Sequence, residues 1–362
     1  MAEIMNTEYT RRLEKIEAVL DAWLPQTPDS AWLERVFGSM GNSVPLELAA
    51  SLTRPGQDLL KRGGKRWRPL LMVLAAEAIA GESGGDAAMP LTPLVEFPHN
   101  ASLIHDDIED NSDERRGKPA VHLLYGTDTA INGGAFMYFL PLACLNAWAG
   151  DKGADSAALK DRIWTIWGDH MRGLHLGQAM DIAWHRDFHS LPGLDEYDRM
   201  CRLKTGCLAR LAAVLGVYCA GAALQGDTVI ALADIFAGAA EQLGVGFQIL
   251  DDVKNLDTGI PGKKRGDDIV EGKKSLPVLL YLHRYPEKRD FAARCFAAAR
   301  SAGVNAPEVE EIISALEAGG VLEEARQRGL EYIRESRKVF TGRESLQKEG
   351  RDLLAGLIDM IG

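Results

Sequence analysis

The sequence contains few cysteines, and their spacing indicates neither a disulfide framework nor a zinc site. Five of the 362 residues are cysteine, an odd number, and none lies in a CxxC pair. Thiols of this kind are typical of a reducing compartment. The N-terminal stretch MAEIMNTEYTRRLEKIEAVL also lacks the apolar core of a secretory signal. We therefore expect a cytoplasmic protein without disulfides.

Basic residues are fewer than acidic ones. The sequence has 41 Lys and Arg against 52 Asp and Glu, which gives a net charge of −11 with histidine neutral. This is the wrong sign for a protein that binds a phosphate backbone along its length. We expect no nucleic-acid partner.

Strand signals are almost absent. Apolar residues recur instead at helical spacing, as in the stripe Leu13, Ile16, Leu20 and Leu24. Glycine and proline interrupt such segments at 63–64, 81–85, 192–193, 259–262 and 319–320. The pattern predicts an all-α protein of ten or more helices.

One long stretch without charge lies between Asp128 and Asp151. It contains Asn132 and Pro141 and lacks the adjacent Lys/Arg cluster that orients a membrane span. We expect a buried core helix here and no membrane span. No linker or fixed repeat divides the chain, so we predict a single domain over 1–362, with an N-terminal helical extension over 1–45 and the motifs within 63–277.

Two acidic clusters each follow an apolar helical segment. Each brings oxygen side chains together within about one helical turn: Asp106, Asp107 and Asp110 in the first, and Asp251, Asp252 and Asn255 in the second. A solvated acidic helix end is the alternative for either cluster alone. Crowded carboxylates repel one another unless cations bind, and hard oxygen ligands favour Mg²⁺. We expect the two clusters to face each other across a cavity and to bind Mg²⁺ with a phosphate-bearing substrate.

Basic residues placed beside glycine and proline could hold that phosphate. They are Lys65, Arg66, Arg68, Arg115, Arg116, Lys204, Lys263 and Lys273. Glycine lets a substrate approach the backbone, and arginine binds phosphate oxygens as a fork. Any one of these residues alone would more simply be a solvated surface cation, but together they indicate a site for two diphosphates.

Six motifs occur in the order typical of one family. They are GGKRWRP from 63, HNASLIHDDIEDNSDERRGKPAVH over 99–122, GQAMD over 177–181, KTG over 204–206, FQILDDVKN over 247–255 and GKKSLP from 272. The sequence resembles the trans-isoprenyl diphosphate synthase (polyprenyl synthetase) family, and within it the eukaryotic-type geranylgeranyl diphosphate synthases. The resemblance implies an isoprenoid synthase-type orthogonal bundle of helices around a deep apolar cavity, usually as a homodimer.

The resemblance also implies a role for each motif residue. Lys65, Arg68, His99 and Arg116 would hold isopentenyl diphosphate, and Arg115, Lys204, Lys263 and Lys273 would hold the allylic diphosphate. Asp106, Asp107, Asp110, Asp251, Asp252 and Asn255 would bind three Mg²⁺ ions, with Asp181 in support. Asn255 stands where many relatives have Asp, as it does in the eukaryotic-type enzymes. Lys204, Thr205 and Gln248 would stabilise the carbocation with backbone carbonyl and side-chain oxygens.

The implied reaction is the Mg²⁺-dependent head-to-tail condensation of isopentenyl diphosphate with dimethylallyl, geranyl or farnesyl diphosphate. The small Ala101 and Ser102 before the first aspartates would let the chain grow past the farnesyl stage. Tyr138, Phe139 and His175 match residues that form the cavity floor in geranylgeranyl synthases, so we expect a C20 product. The alternatives are a farnesyl or longer-chain synthase, a terpene cyclase, and a noncatalytic subunit of a heteromeric synthase.

Overall fold

The computed structural model describes residues 2–152, 156–221, 226–259 and 264–362. Helices account for nearly all of the regular structure in these ranges. The elements are α1 (Ala2–Trp23), α2 (Ser30–Phe37), α3 (Leu46–Lys61), α4 (Trp67–Ala80), α5 (Glu82–Ala88), α6 (Pro93–Glu109), β1 (Glu114–Arg115), β2 (Lys118–Pro119), α7 (Val121–Tyr125), α8 (Thr127–Lys152), α9 (Ala157–Arg186), α10 (Leu194–Cys201), α11 (Cys207–Cys219), α12 (Gly226–Asp257), α13 (Asp267–Glu271), α14 (Leu276–Arg284), α15 (Arg289–Ala302), α16 (Pro307–Ala318), α17 (Val321–Thr341) and α18 (Lys348–Ile361). Short 3₁₀ turns occur at Gly38–Gly41, Met89–Leu91 and Pro286–Lys288, and a π-helical turn at Arg202–Gly206. The all-α prediction is confirmed.

The chain forms two compact units. Unit one consists of Met1–Asp169, Leu211–Ala237 and Phe340–Leu357, and unit two of His170–Arg210, Gly238–Val339 and Ile358–Gly362. The single-domain interpretation of 1–362 stays a prediction.

Unit one is built around α6, which packs against α8 and α3. Nearly all of α4 is buried, in agreement with its apolar sequence WRPLLMVLAAEAIA. The N-terminal segment belongs to this core, because Tyr9 Oη donates a hydrogen bond to the carbonyl of Leu353 at 2.6 Å. Arg12 also forms a buried ion pair with Glu77, with Nη2 and Oε2 2.7 Å apart.

The glycines at 84 and 85 lie inside α5, whereas the sequence pattern predicts a break there. A Cβ on Gly84 would lie 2.4 Å from the carbonyl oxygen of Ala76, and one on Gly85 would lie 2.5 Å from Oε1 of Glu77. Glycine is needed here for the close approach of α5 to α4, not to end a helix.

Unit two has a core in which α10, the second half of α12 and α13–α16 contribute buried apolar side chains. Its packed pairs include α15 with α16, α13 with α15 and α10 with α14. This core includes the C-terminal end of α12, which carries the second acidic cluster.

Two helical segments are long and apolar enough to cross a membrane by length and composition. They are Thr127–Ala149, with a mean hydropathy of 1.2, and Thr228–Asp257, with a mean hydropathy of 1.4. Within an apolar 18-residue window of each segment, 50% and 61% of the window is buried, respectively. Burial of this extent is typical of core helices, and the described part of the chain gives no clear membrane span.

Candidate active site

The basic cluster of unit one lies where the loop between α3 and α4 meets a β-hairpin. The loop contains Gly63 and Gly64 with φ of 84° and 137°. A Cβ on Gly64 would lie 3.0 Å from Nη2 of Arg116, so only glycine lets the arginine approach this closely. Arg116 Nη1 donates to the carbonyl oxygens of Gly63 and Leu59, the latter at 3.1 Å, and to Oδ1 of Asn100 at 3.3 Å.

The hairpin presents two consecutive arginines to different partners. β1 and β2 pair antiparallel with Arg115 opposite Lys118. The two turn residues, Arg116 and Gly117, have φ of 54° and 74°, as a tight I′-type hairpin requires. Arg116 reaches the glycine loop, while Arg115 reaches the first acidic cluster.

His99 lies close to the cations of this basic cluster, Arg68 and Arg116 among them. Its Nε2 is 3.5 Å from Nη1 of Arg68. Burial, followed by the charges of Arg68 and Arg116, lowers the pKa of His99 well below its ordinary value. Burial also lowers the pKa of Arg116 to about 10. The neutral histidine and the crowded guanidinium groups therefore form a positive site suited to an anion such as diphosphate.

Arg66, in the same loop, has a structural role, because it forms ion pairs with two glutamates of other helices. Its Nη1 pairs with Oε1 of Glu96 at 3.0 Å, and its Nε pairs with Oε1 of Glu17 at 2.7 Å. Its neighbour Lys65 is exposed in the loop. Lys65 in the loop and Arg68 in the first turn of α4 stay candidates for a phosphate ligand.

The first acidic cluster ends α6. Asp107 is fully buried and accepts hydrogen bonds from Nε of Arg115 at 2.8 Å and from its Nη2. Burial raises the pKa of Asp107, although Arg115 opposes the shift. The N–H of Asp110 donates to the carbonyl of Asp106 at 2.8 Å, which holds these two residues one turn apart as predicted.

The donors of this cluster fit Mg²⁺ better than a transition metal. Among the residues that the structure describes, no three His, Cys, Asp or Glu side chains form a group that could hold a metal. Magnesium commonly uses one or two carboxylates and completes its octahedron with water and substrate phosphate oxygens. Asp106 and Asp110, one turn apart at the end of α6, offer two carboxylates to such a site.

In unit two, a glycine of the GQAMD motif brings α9 against the π-helical turn. A Cβ on Gly177 would lie 2.5 Å from the backbone N of Lys204 and 2.8 Å from the carbonyl carbon of Leu203. One turn further along α9, Asp181 accepts a hydrogen bond from Nζ of Lys204 at 2.6 Å. This contact joins the GQAMD and KTG motifs in space.

The KTG and FQILDDVKN motifs are joined by a hydrogen-bond chain. Thr205 Oγ1 donates to Oε1 of Gln248 at 2.7 Å, and Nε2 of Gln248 donates to Oδ1 of Asp252 at 2.7 Å. The other oxygen, Oδ2, accepts from Tyr197 Oη at 2.8 Å and from the N–H of Leu276 at 3.4 Å. Burial, with the charge of Asp268, raises the pKa of Asp252 to about 7.

Asn255 contacts backbone groups. Its Oδ1 accepts from the N–H of Asp268 at 3.1 Å, and its Nδ2 donates to the carbonyl of Lys264 at 3.4 Å. The residue therefore holds the segment that starts α13, and its predicted contribution to metal binding stays a prediction. Lys273, which follows this segment, pairs with Oε2 of Glu271 at 2.5 Å. Lys263 lies outside the described residues.

The three predicted floor residues differ in their surroundings. Tyr138 is only 9% exposed, and its ring centroid lies 5.7 Å from that of His105. Phe139, the next residue of α8, is 64% exposed in the single chain. His175 belongs to unit two, where its Nδ1 lies 2.8 Å from the carbonyl of Met171. Their joint role as a floor stays a prediction.

Tyr197 was missed by the sequence reasoning. It lies about two helical turns before Lys204, so it shares a helical face with a motif residue. This helical spacing could have marked Tyr197 as a candidate site residue. It does not identify Asp252 as its hydrogen-bond partner.

Comparison with known proteins identifies a family. Residues 49–316 match the family model described as Polyprenyl synthetase. A geranylfarnesyl diphosphate synthase of Aeropyrum pernix is 30% identical over 84% of this chain and 91% of its own. A geranylgeranyl pyrophosphate synthase of Eremothecium gossypii is 36% identical over 63% and 68%, respectively. A short chain isoprenyl diphosphate synthase of Methanothermobacter thermautotrophicus is 30% identical over 91% and 94%.

Solved structures show the same fold. A geranylgeranyl pyrophosphate synthetase from Pyrococcus horikoshii superposes with a TM-score of 0.80 at 23% identity, covering 99% of this chain and 98% of that chain. A decaprenyl diphosphate synthase from Rhodobacter capsulatus gives 0.76 at 23% identity, covering 100% and 98%. The predicted isoprenoid synthase-type helical fold is confirmed.

Proposed function

The chain belongs to the polyprenyl synthetase family and is a prenyltransferase, and we propose that it condenses isopentenyl diphosphate head to tail with allylic diphosphates to give geranylgeranyl diphosphate. The relatives named as geranylgeranyl and short chain isoprenyl diphosphate synthases support this reaction. Mg²⁺ dependence, a homodimer and a cytoplasmic location belong to the proposal.

The observation that carries the proposal is the positive site of Arg68, His99 and Arg116 in unit one. A condensing enzyme must hold a second diphosphate, that of isopentenyl diphosphate, whereas a terpene cyclase ionises an allylic diphosphate alone. Two guanidinium groups beside a neutral imidazole can bind diphosphate oxygens through charge-assisted hydrogen bonds. The site therefore favours condensation over cyclisation.

The allylic diphosphate would be held by cations that acidic partners already orient. In unit two these are Lys204, paired with Asp181, and Lys273, paired with Glu271. We assign Asp106 and Asp110 in unit one, and Asp251 in unit two, as oxygen ligands for Mg²⁺. Bound Mg²⁺ supplies Lewis-acid stabilisation of the charge that develops on the leaving diphosphate. The lysines stabilise the same charge through preorganised hydrogen bonds.

Thr205 and Gln248 would stabilise the carbocation that forms when the allylic C–O bond breaks. Thr205 donates its hydroxyl hydrogen bond to Oε1 of Gln248, so its oxygen lone pairs stay available to a positive charge. The double bond of isopentenyl diphosphate then attacks the cation, and the released diphosphate accepts the proton lost from the new chain. Apolar walls exclude the water that would otherwise quench the cation.

A longer product is the second candidate, because the relative from Aeropyrum pernix is named for a C25 product. The exposure of Phe139 in the single chain also leaves Tyr138 as the buried aromatic residue of the proposed floor. A noncatalytic subunit is disfavoured, because such subunits typically lose aspartates, and both clusters here are nearly complete.

A homodimer would cover exposed apolar side chains of unit one. Ile131 and Phe139 lie eight residues apart on one face of α8, and both are exposed. Exposed apolar groups aligned in this way commonly mark an association surface. A partner on this face would also turn Phe139 into an enclosed side chain.

The reaction can be tested with the purified protein, Mg²⁺ and labelled isopentenyl diphosphate, supplied with each allylic diphosphate in turn. Label in an elongated prenyl diphosphate is the expected result. A hydrocarbon formed from the allylic substrate alone would indicate a cyclase, and no product with any primer would refute the proposed function.

A further inference from the structure

Tyr197 is a buried tyrosine of α10 to which no motif assigns a role. Its side chain is 2% exposed, and its hydroxyl donates to Oδ2 of Asp252 at 2.8 Å. A buried hydroxyl aimed at a buried carboxylate costs desolvation unless both groups gain from the contact. The contact therefore fixes the orientation of Asp252.

Both oxygens of Asp252 are engaged by donors of the protein itself. Oδ2 accepts from Tyr197 and from the N–H of Leu276, and Oδ1 accepts from Nε2 of Gln248. The residue is 6% exposed. A buried carboxylate surrounded by neutral donors acts as a fixed acceptor that orients its partners.

The orientation of Gln248 follows from this acceptor. Its amide has a donor end and an acceptor end, and a carboxylate oxygen accepts only the donor end. With Nε2 on Asp252, Oε1 is left to accept the proton of Thr205 at 2.7 Å. The reversed amide would place two oxygens against each other and leave Thr205 without this acceptor.

We propose that Tyr197 and Asp252 are positioning residues: Tyr197 holds Asp252, Asp252 orients the Gln248 amide, and the amide turns the Thr205 hydroxyl so that its lone pairs face the substrate cation. This inference rests on the proposed function, and it gives Asp252 a task other than direct metal binding. Asp251, the neighbouring acid, keeps its assignment as a ligand for Mg²⁺.

Tyr332 provides a matched control within the same cavity. A cavity of about 320 Å³ is lined by both tyrosines, together with apolar residues that include Leu194 and Ile249. The Tyr332 hydroxyl donates to Oδ1 of Asp198 at 2.6 Å, and not to Asp252. Tyr197→Phe and Tyr332→Phe therefore each delete a hydroxyl group from a tyrosine that lines this cavity, but only the first touches the chain of contacts that leads to Thr205.

The test compares the two variants with the wild-type protein. For Tyr197→Phe we expect kcat to fall about tenfold, as is usual when an outer hydrogen bond that orients an active group is lost. The Michaelis constants for both substrates and the Mg²⁺ concentration at half-maximal rate should stay within about twofold of wild type. Tyr332→Phe should keep kcat within about twofold. Thermal unfolding of both variants checks that they are folded.

Calorimetry supplies a readout that does not depend on turnover. Binding of Mg²⁺ with farnesyl thiolodiphosphate, an analogue that ionises poorly, should be unchanged in Tyr197→Phe, because a positioning residue acts on the transition state. Weakened binding of the metal and the analogue would overturn the inference, as would an unchanged kcat. If the wild type makes no prenyl diphosphate, the proposed function fails; if it is active and the two tyrosine variants behave alike, only the positioning role fails.

Asp252→Asn keeps the inference testable if Tyr197→Phe does not fold. Asparagine retains one acceptor for Gln248 and can donate to the Tyr197 oxygen, so it should keep at least about a tenth of the wild-type kcat with an unchanged Mg²⁺ requirement. Asp251→Asn should raise that requirement, since it removes a ligand. An increase of the same size in Asp252→Asn would show that Asp252 binds metal and would overturn the assignment.

Discussion

Arg115 donates two hydrogen bonds, from Nε and Nη2, to a single oxygen of Asp107, whose side chain is fully buried. The arginine comes from a β-hairpin and the aspartate from the end of α6, so the pair fixes the hairpin against the helix. Both residues were predicted as separate ligands, Arg115 for a diphosphate and Asp107 for a metal. Here each is the other's partner, and their predicted contacts with substrate and metal stay predictions.

Arg115→Ala should lower the free energy of unfolding by about 3 kcal/mol at pH 8, because it leaves a buried carboxylate unpaired. The pKa of Asp107 is already raised by burial, and loss of the cation raises it further. The loss of stability should therefore shrink as the pH falls and the carboxyl takes up a proton. Adding Asp107→Asn to this variant should recover most of the loss. Urea unfolding at pH 8 and pH 5 checks both statements; a loss independent of pH and not recovered by Asp107→Asn would contradict them.

His99 should make stability depend on pH in the opposite sense. Its pKa in the folded protein lies well below the ordinary value of 6.5. The unfolded chain therefore binds a proton between pH 6.5 and the folded pKa while the native protein does not, and the free energy of unfolding falls as the pH drops through this window. His99→Gln should reduce the slope by up to about 1.4 kcal/mol per pH unit. The exposed His189 supplies the control, and equal slopes for the His99→Gln and His189→Gln variants would refute the prediction.

Gly177→Ala should disturb the π-helical turn. The new methyl group would lie 2.5 Å from the backbone N of Lys204, so α9 or the turn must move, at a cost of about 1 to 3 kcal/mol. The Lys204–Asp181 contact should loosen, and the Michaelis constant for the allylic diphosphate should rise. Gly173→Ala, on the same helix, places its Cβ 3.5 Å from Leu203 Cδ2, an ordinary contact, and should behave nearly as wild type. Similar effects of the two substitutions would count against this reading of Gly177.

Phe139→Glu should separate the proposed homodimer into monomers, because a carboxylate on that face would be desolvated by a partner subunit. Light scattering after gel filtration measures the mass. Leu123→Glu, at an exposed leucine of α7 in the same unit, is a control for added surface charge. A Phe139→Glu protein with the mass of the wild type would refute the proposed dimer face.

The motifs and the all-α class could be predicted from sequence because they depend on local spacing. Asp106 and Asp110 lie one turn apart because helical geometry requires it, and the glycines at 63–64 mark the break between α3 and α4. Side-chain partners across elements could not be predicted in this way. The bond from Tyr197 to Asp252, the pairing of Arg115 with Asp107 and the backbone contacts of Asn255 depend on which helix ends meet in the folded chain.

The exposure of Phe139 also could not be predicted from the sequence. Tyr138 and Phe139 are adjacent apolar residues, yet one is buried and the other is 64% exposed, because consecutive residues of a helix point about 100° apart. The sequence marks both as core candidates. Only the position of α8 against its neighbours distinguishes them.

The central claim is tested most directly by the chain length of the product. The wild-type protein, supplied with Mg²⁺, dimethylallyl diphosphate and excess isopentenyl diphosphate, should yield a C20 prenyl diphosphate as the main species in mass spectrometry. The variant with Tyr138, Phe139 and His175 all replaced by alanine should extend the product to C25 or beyond while keeping the first condensation. A wild-type product mainly of C15, or of C30 and longer, would contradict the assignment, as would a triple variant that still stops at C20.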